Sequence, residues 1–271
     1  MELKQADFQK ISRLVYDQSG ISLNEGKKEL VKARLGKRLK EGNFTSFADY
    51  YRYITTEEGQ DELILMLDSI STNLTYFFRE SAHFDKLQSI LPPMIDAKLH
   101  DRQRKLQIWS AACSSGEEPY SLGIFARELL AEKASSVSIL ATDISTRVLK
   151  IAVHGIFSRD RMKNISDPIL KKYFQYGSGK RAGFYRIKED IRSMVRFQRF
   201  NLMTSPPSDF VSDIIFCRNV MIYFDKPTQE ELVNRLYKIL NTGGYFFIGH
   251  SESLTGLNHL FKYIGPSIYQ K

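Results

Sequence analysis

Cysteine is scarce in this sequence. The 271 residues contain two, Cys113 and Cys217, and both lie in strand-like apolar stretches. A disulfide-stapled secreted scaffold is thereby excluded, and the pair reads as reduced thiols of a cytoplasmic protein. The sequon-like Asn73-Leu74-Thr75 then carries no glycosylation meaning. Long apolar runs are missing too, for nothing approaches the roughly 20 residues that a membrane helix needs. The start, MELKQADFQKISRLVYDQ, is polar and helix-periodic, unlike a signal peptide. No complete glycine fingerprint of a dinucleotide loop occurs. The GSGKR around Gly179 is no phosphate loop either, since no glycine precedes Gly179 by five residues and Arg181 stands where Ser or Thr is required. What remains is an ordinary globular composition, 42% hydrophobic and 26% charged, in a chain long enough for two domains.

Acidic side chains are missing from one place in particular. The formal charge is +8, yet residues 1–75 carry 11 basic and 12 acidic side chains. Within them, Lys27–Lys40 holds seven basic residues against the single acid Glu29. Val31, Leu35 and Leu39 form an apolar stripe at helical spacing there. Lys27, Arg34, Lys37 and Arg38 gather beside it on one side. A charge run is usually a solvated face; four cations together point to an acidic partner.

Residues 1–72 read as all helical, with segments from Asp7 to Gly20, Lys27 to Lys40, Thr45 to Ile54 and Glu57 to Ile70. Residues 73–93 connect, and their helix Glu80–Leu91 is expected to stop at Pro92-Pro93. From residue 94 strands alternate with helices. The expected strands are Lys105–Ala112, Val137–Thr142, Asp213–Cys217 and Gly244–Gly249, and the helices between them are Glu118–Glu132, Ser145–His154 and Thr228–Leu240. Such alternation implies an α/β fold with a mostly parallel, doubly wound, Rossmann-like sheet. One stretch, about 173–200, breaks the rhythm and reads as a small antiparallel insertion with glycine turns.

The segment IWSAACSSGEEPYS, Ile108–Ser121, carries the chemistry. A strand runs into small residues, and a helix starts near Glu118, so that a ligand can approach the backbone. Asp143 ends the next strand, 27 residues beyond Gly116, where nucleotide folds place a carboxylate for ribose hydroxyls. On spacing alone a tight packing turn explains the loop equally well. Glu117 and Glu118, however, repel a pyrophosphate and suit a cationic ligand, although helix N-terminal acids are also favoured by the macrodipole. The acidity argues against NAD or ATP and towards the sulfonium of S-adenosylmethionine (SAM).

The same segment, together with SISTNLTYFFRE (Ser69–Glu80), ATDIS (Ala141–Ser145), IFCRNVMIYFDKPTQE (Ile215–Glu230) and GGYFFIGHSESL (Gly243–Leu254), resembles the bacterial chemotaxis receptor methyltransferases of the CheR type. The match spans both expected domains. It implies a SAM-dependent protein-glutamate O-methyltransferase of the class I fold, with S-adenosylhomocysteine as product and no metal. It also implies that Asn73, Thr75 and Arg79 border the cofactor from the linker. Glu118 binds its methionine portion and Asp143 its ribose, while Asn201, Leu202, Cys217 and Arg218 surround the rest. Arg79 and Tyr223 then sit beside the methyl donor as the catalytic pair; without the resemblance they read as a surface cation and a core aromatic. The implied partner is the helical methylation region in the cytoplasmic part of a chemoreceptor, docked on Lys27, Arg34, Lys37 and Arg38. Some family members also bind a tethering peptide at the receptor C-terminus through the inserted subdomain, and others do not. The residues here are compatible with both.

Three other readings compete. A methyltransferase acting on RNA or on another protein is the first; RNA suits the pI of about 9.3, but the helical domain lacks the aromatic and basic interleaving of base-stacking surfaces. A non-catalytic SAM-binding module shares the fold. A nicotinamide oxidoreductase is disfavoured by the missing fingerprint. Neither nucleic acid nor membrane insertion is expected.

Overall fold

The computed structural model describes residues 1–100, 105–207 and 210–271. Four helices come first: α1 (Gln5–Ser19), α2 (Lys28–Glu41), α3 (Phe47–Ile54) and α4 (Gln60–Ile70). Phe8, Ile11 and Val15 of α1 recur at helical spacing and are buried with Val31, Leu35 and Leu39 of α2. Tyr50, Met66 and Leu67 complete this small core. Ser46 caps α3 by accepting from the Asp49 N–H.

Helix α5 (Ser81–His100) departs from expectation, because it continues through Pro92 and Pro93. A proline inside a helix removes a backbone donor and costs about 3 kcal/mol. Burial offsets that cost here: Leu91 and Ile95, on either side of the prolines, are fully withdrawn into the main core.

The remaining elements are β1 (Leu106–Ala111), α6 (Glu117–Leu130), β2 (Val137–Asp143), α7 (Thr146–His154), β3 (Ile156–Ser158), α8 (Asp167–Tyr173), β4 (Phe174–Tyr176), β5 (Phe184–Ile187), α9 (Glu189–Arg192), β6 (Val195–Arg199), β7 (Ser212–Cys217), α10 (Lys226–Ile239), β8 (Leu240–Ile248), β9 (Lys262–Gly265) and β10 (Ile268–Gln270). Seven strands form one sheet in the order β6-β2-β1-β7-β8-β10-β9. The first five are parallel; β10 and β9 close the edge in antiparallel pairing. The chain order reverses between β1 and β7, and in open α/β sheets ligands bind at such a switch point, beyond the strands' carboxyl ends.

The insertion is real but its boundaries differ from 173–200. The antiparallel sheet is β3-β5-β4, spanning residues 156–187. Val195–Arg199, expected in it, is the parallel edge strand β6 of the main sheet, paired with β2. An edge strand with one solvated face alternates like an antiparallel strand, so the alternation of VRFQR could not tell the two apart. Phe197 lies on the inner face, against the ring of Tyr120.

The helical domain docks on the sheet domain through polar contacts. Tyr16 donates to Asp225 (3.0 Å), the Ser22 N–H to the Tyr223 carbonyl (2.8 Å) and Asn201 to the Gln18 carbonyl (2.7 Å). Asp68, at the end of α4, accepts from the Thr146 hydroxyl and the Arg147 N–H at the start of α7.

Candidate active site

A pocket opens at the switch point, roofed by the helical domain. Its floor is the loop after β1. Ala112, Ser114 and Gly116 there adopt φ of 62°, 50° and 96°, a left-handed alternation that turns the chain sharply into α6. At Gly116 a Cβ would lie 2.9 Å from the Ala152 Cβ, so only glycine lets the loop seat on α7.

Glu118 points into the pocket. Its carboxylate accepts from the Ser110 hydroxyl at 2.7 Å and from Arg218 Nη1 at 2.9 Å. Glu117 does not share that surface. Its side chain is fully buried on the far side of the loop, paired with Arg161 and Ser115. The expectation that both acids face the ligand is corrected: adjacent residues opening a helix point about 100° apart, so one faces in and one out.

Asp143, at the end of β2, accepts the Ser114 N–H on one oxygen (2.8 Å) and the Ser145 N–H on the other (2.9 Å). Burial pushes its carboxyl above the usual range, and these backbone bonds only partly counter it. Each oxygen keeps a free lone pair for a hydroxyl donor.

Arg79 lies between Phe78 and Glu80, both of which adopt left-handed φ (55° and 60°). Two non-glycine residues in that region are strained, and such strain persists only where neighbours hold it. The Ser121 hydroxyl accepts the Phe78 N–H (2.9 Å), and Arg218 Nη2 donates to the Arg79 carbonyl (2.5 Å). The guanidinium of Arg79 donates to the Leu74 carbonyl and stacks over the Tyr76 ring.

Asn73, Thr75, Arg79, Glu118, Asp143, Asn201, Leu202, Arg218 and Tyr223 all line this pocket, and Lys27 reaches it from the helical domain. Cys217 is a correction. Its side chain is fully buried in a core cluster with Ile215 and Ile248 rather than in the lining. Strand alternation turns residues 215 and 217 to the same, inner face. Burial also pushes its thiol, like that of Cys113, well up. Asn201 spends its side chain on the Gln18 carbonyl and the Met203 N–H.

The basic patch is also corrected in part. Arg34 caps the end of α4, donating to the Ile70 and Ser71 carbonyls and to the Thr72 hydroxyl. Arg38 is paired with Glu62 and Glu41 and keeps 19% of its side-chain exposure. The end of α4 leaves carbonyls that need donors and draws Arg34 inward, while the Glu62 carboxylate in its first turn draws Arg38. Lys37 stays in solvent, 81% exposed and 3.8 Å from Glu41.

Two residues without an assigned role hold the site. Glu80 accepts from Arg218 and Asn219; burial pushes its carboxyl up, but Arg218 together with the His250 N–H and Asn219 more than reverses this and leaves it below the usual range. Glu252 accepts the N–H groups of Gly249 (2.6 Å), Asn219 (2.8 Å) and Met221 (2.8 Å), fixing the turn that leads to Tyr223. Both fall inside segments that carry the family resemblance, SISTNLTYFFRE and GGYFFIGHSESL, but nothing in the sequence singled them out or revealed their partners. Glu80, His83 and His250 bring ligand atoms within 4.8 Å of one another. Arg218 lies 2.9 Å from the shared Glu80 oxygen, so a guanidinium already stands where a cation would bind.

Family comparison agrees with this architecture. The CheR methyltransferase all-alpha domain matches residues 6–71, and the CheR methyltransferase SAM binding domain matches residues 73–269. The chain is 41% identical to chemotaxis protein methyltransferase 2 of Pseudomonas aeruginosa, over 97% of its own length and 92% of that protein. It is 40% identical to the chemotaxis protein methyltransferase of Borreliella burgdorferi, covering 98% and 94%, and 35% identical to that of Escherichia coli, covering 99% and 92%. With a SAM-binding domain built on this pocket and relatives alike over nearly their whole length, the chain belongs to the CheR family of SAM-dependent methyltransferases.

Proposed function

We propose that the protein methylates glutamate side chains of chemoreceptors. The observation that carries this reading is the lack of a free histidine or unpaired carboxylate among the described residues that line the pocket. Among its described lining residues there is no histidine. Glu118 is ion-paired, Asp143 is bound by backbone N–H groups, and the Cys113 thiol is raised by burial. With Asp143 engaged by the cofactor's ribose, an acceptor that must lose a proton would find no histidine or unpaired carboxylate there to take it. A glutamate, with a reference pKa of about 4.3, arrives already ionised.

The residues fit SAM. Glu118 offers an anionic oxygen to an α-amino group, and Asp143 offers acceptors to ribose hydroxyls. Bound there, SAM supplies a methyl group on a positive sulfur, whose transfer to a carboxylate oxygen leaves a methyl ester and S-adenosylhomocysteine. Asn73, Thr75, Asn201, Leu202 and Arg218 enclose the same ligand. The cations at the pocket, Arg79 and Lys27, draw in and orient the carboxylate through charge-assisted hydrogen bonds, and Tyr223 helps to place it. Orientation of this kind is worth up to ~7–11 kcal/mol in favourable cases.

Residues 1–72 then act as the docking domain for an acidic receptor helix and 94–271 as the catalytic domain, at work in the cytoplasm. Of the four cations expected to dock, Lys27 and Lys37 are exposed and Arg34 and Arg38 half-buried. The small sheet leaves β3 and β4 as edges able to accept a tethering peptide by strand addition. The deciding experiment incubates the protein with tritiated SAM and receptor cytoplasmic fragments. Label released as methanol by alkali supports a glutamyl ester; alkali-stable label, or none, overturns the reading.

A further inference from the structure

Glu117 is a carboxylate that methyl transfer leaves unused. It is fully buried next to the pocket and does not line it. A charge taken out of water needs partners, and Glu117 has two. The Ser115 hydroxyl donates to its Oε2 at 2.7 Å, and the Arg161 guanidinium pairs with its Oε1. Arg161 Nη1 also donates to the Ser115 oxygen at 2.7 Å. Three side chains thus close a ring behind the cofactor loop.

Arg161 does not come from the main sheet. It sits in the 3-10 turn Arg159–Met162 that follows β3, within the inserted antiparallel subdomain. The loop that it grips is the one with three left-handed residues, two of them not glycine. Such a conformation persists only where the surroundings over-determine it. Asp143 holds the pocket side through the Ser114 N–H, and Arg218 holds Glu118. On the opposite side, the tie from Arg161 to Ser115 and Glu117 restrains the two residues flanking Gly116.

We infer that Arg161 is a positioning residue for the cofactor loop, acting through Glu117 and Ser115, and that it couples the inserted subdomain to SAM affinity. The inference rests on SAM binding by this domain and not on the identity of the methyl acceptor. It is tested by a double-mutant cycle on the full chain, with S-adenosylhomocysteine affinity read by calorimetry. Removing Arg161 leaves a buried carboxylate uncompensated, so Arg161→Ala is expected to raise Kd about tenfold. In a Glu117→Gln background the charge is gone, and the same substitution should change Kd by less than about twofold. Arg161→Lys should restore part of the affinity. Lys163→Ala, an exposed neighbour just past the same turn, should leave it unchanged.

Thermal midpoints separate positioning from simple support. A lowered midpoint with unchanged Kd would overturn the inference, as would equal effects of Arg161→Ala in both backgrounds. If Arg161→Ala does not fold, Arg161→Gln takes its place in the cycle with the same expected outcomes. Absence of binding by the unaltered chain would strike the SAM site itself and is distinguishable from either result.

Discussion

Arg218 and Glu118 form an ion pair at the end of β7, with 2.9 Å between Nη1 and Oε2, and their side chains keep only 2% and 13% of their exposure. The same guanidinium holds Glu80 and the Arg79 carbonyl. One side chain from the catalytic sheet therefore sets both the pocket carboxylate and the linker turn that carries Arg79. Removing it leaves two nearly buried carboxylates without their close cation. Arg218→Ala should cost about 3 kcal/mol or more in urea unfolding and abolish measurable SAM binding. Arg218→Lys should rescue little, because a point charge cannot reach three acceptors in one plane.

Arg79 tests the proposed handling of the acceptor. Its guanidinium is held by the Leu74 carbonyl and the Tyr76 ring, both at exposed residues, and by a long 3.9 Å contact with Glu80, so truncation should spare folding. Arg79→Ala is expected to lower kcat/KM for receptor fragments by about 100-fold, the scale of a lost charge-assisted contact near the reacting atoms. Unchanged kcat and KM would remove the positioning role.

The basic helix calls for variants that avoid its internal ion pairs. Arg38→Glu opposes Glu62 and Glu41 and should lower the melting temperature, so a change in KM for that variant is not a docking result. Lys37→Glu and Lys27→Glu leave the two Arg38 pairs intact and cost only the exposed 3.8 Å contact between Lys37 and Glu41. Together they should raise KM for receptor several-fold at low salt, about 1 kcal/mol, and flatten its salt dependence with SAM affinity preserved. An unaltered KM would rule out docking on this face.

His83 makes stability depend on pH. Its ring is fully buried, with neither nitrogen hydrogen-bonded, and burial, with a contribution from Arg218, lowers its pKa from 6.5 to about 3. Between those values the unfolded chain binds a proton that the folded chain refuses. Stability contributed by the neutral ring is complete above pH 6.5 and is lost as pH falls towards 3. The expected slope is about 1.4 kcal/mol per pH unit. It should be visible between pH 6.5 and 5, before most carboxylates titrate, and should flatten in His83→Leu.

Glu252 gathers N–H donors from the ends of two adjacent strands. Glu252→Ala would orphan them, at a cost of about 3 kcal/mol. A kcat loss larger than any change in SAM affinity should accompany it, since the freed turn leads to Tyr223.

Periodicity was sufficient for the helices α1 to α4 and for the parallel strands β1, β2, β7 and β8, because each buries a face whose spacing is written locally. It failed where burial overrides local signals. Pro92 and Pro93 mark a stop in isolation, and only the core around Leu91 and Ile95 carries the helix past them. It failed again at β6, whose partner β2 lies some fifty residues earlier in the chain. The short β9 and β10 gave no pattern strong enough to notice.

For the site, chain order alone located the linker, the loop after β1, Asp143 and the turn after β7, since a doubly wound sheet brings strand ends to one edge. The sequence by itself thus determined the family, the fold class and the neighbourhood of the pocket. Tertiary structure decided which way each side chain points. Glu118 faces in and Glu117 out, Cys217 sinks into the core, and Arg34 and Arg38 turn from a supposed partner to helix α4. Direction is set by what packs behind a residue, and the partners involved (Arg161 for Glu117, Arg218 for Glu118) come from segments far along the chain. No local pattern records that pairing.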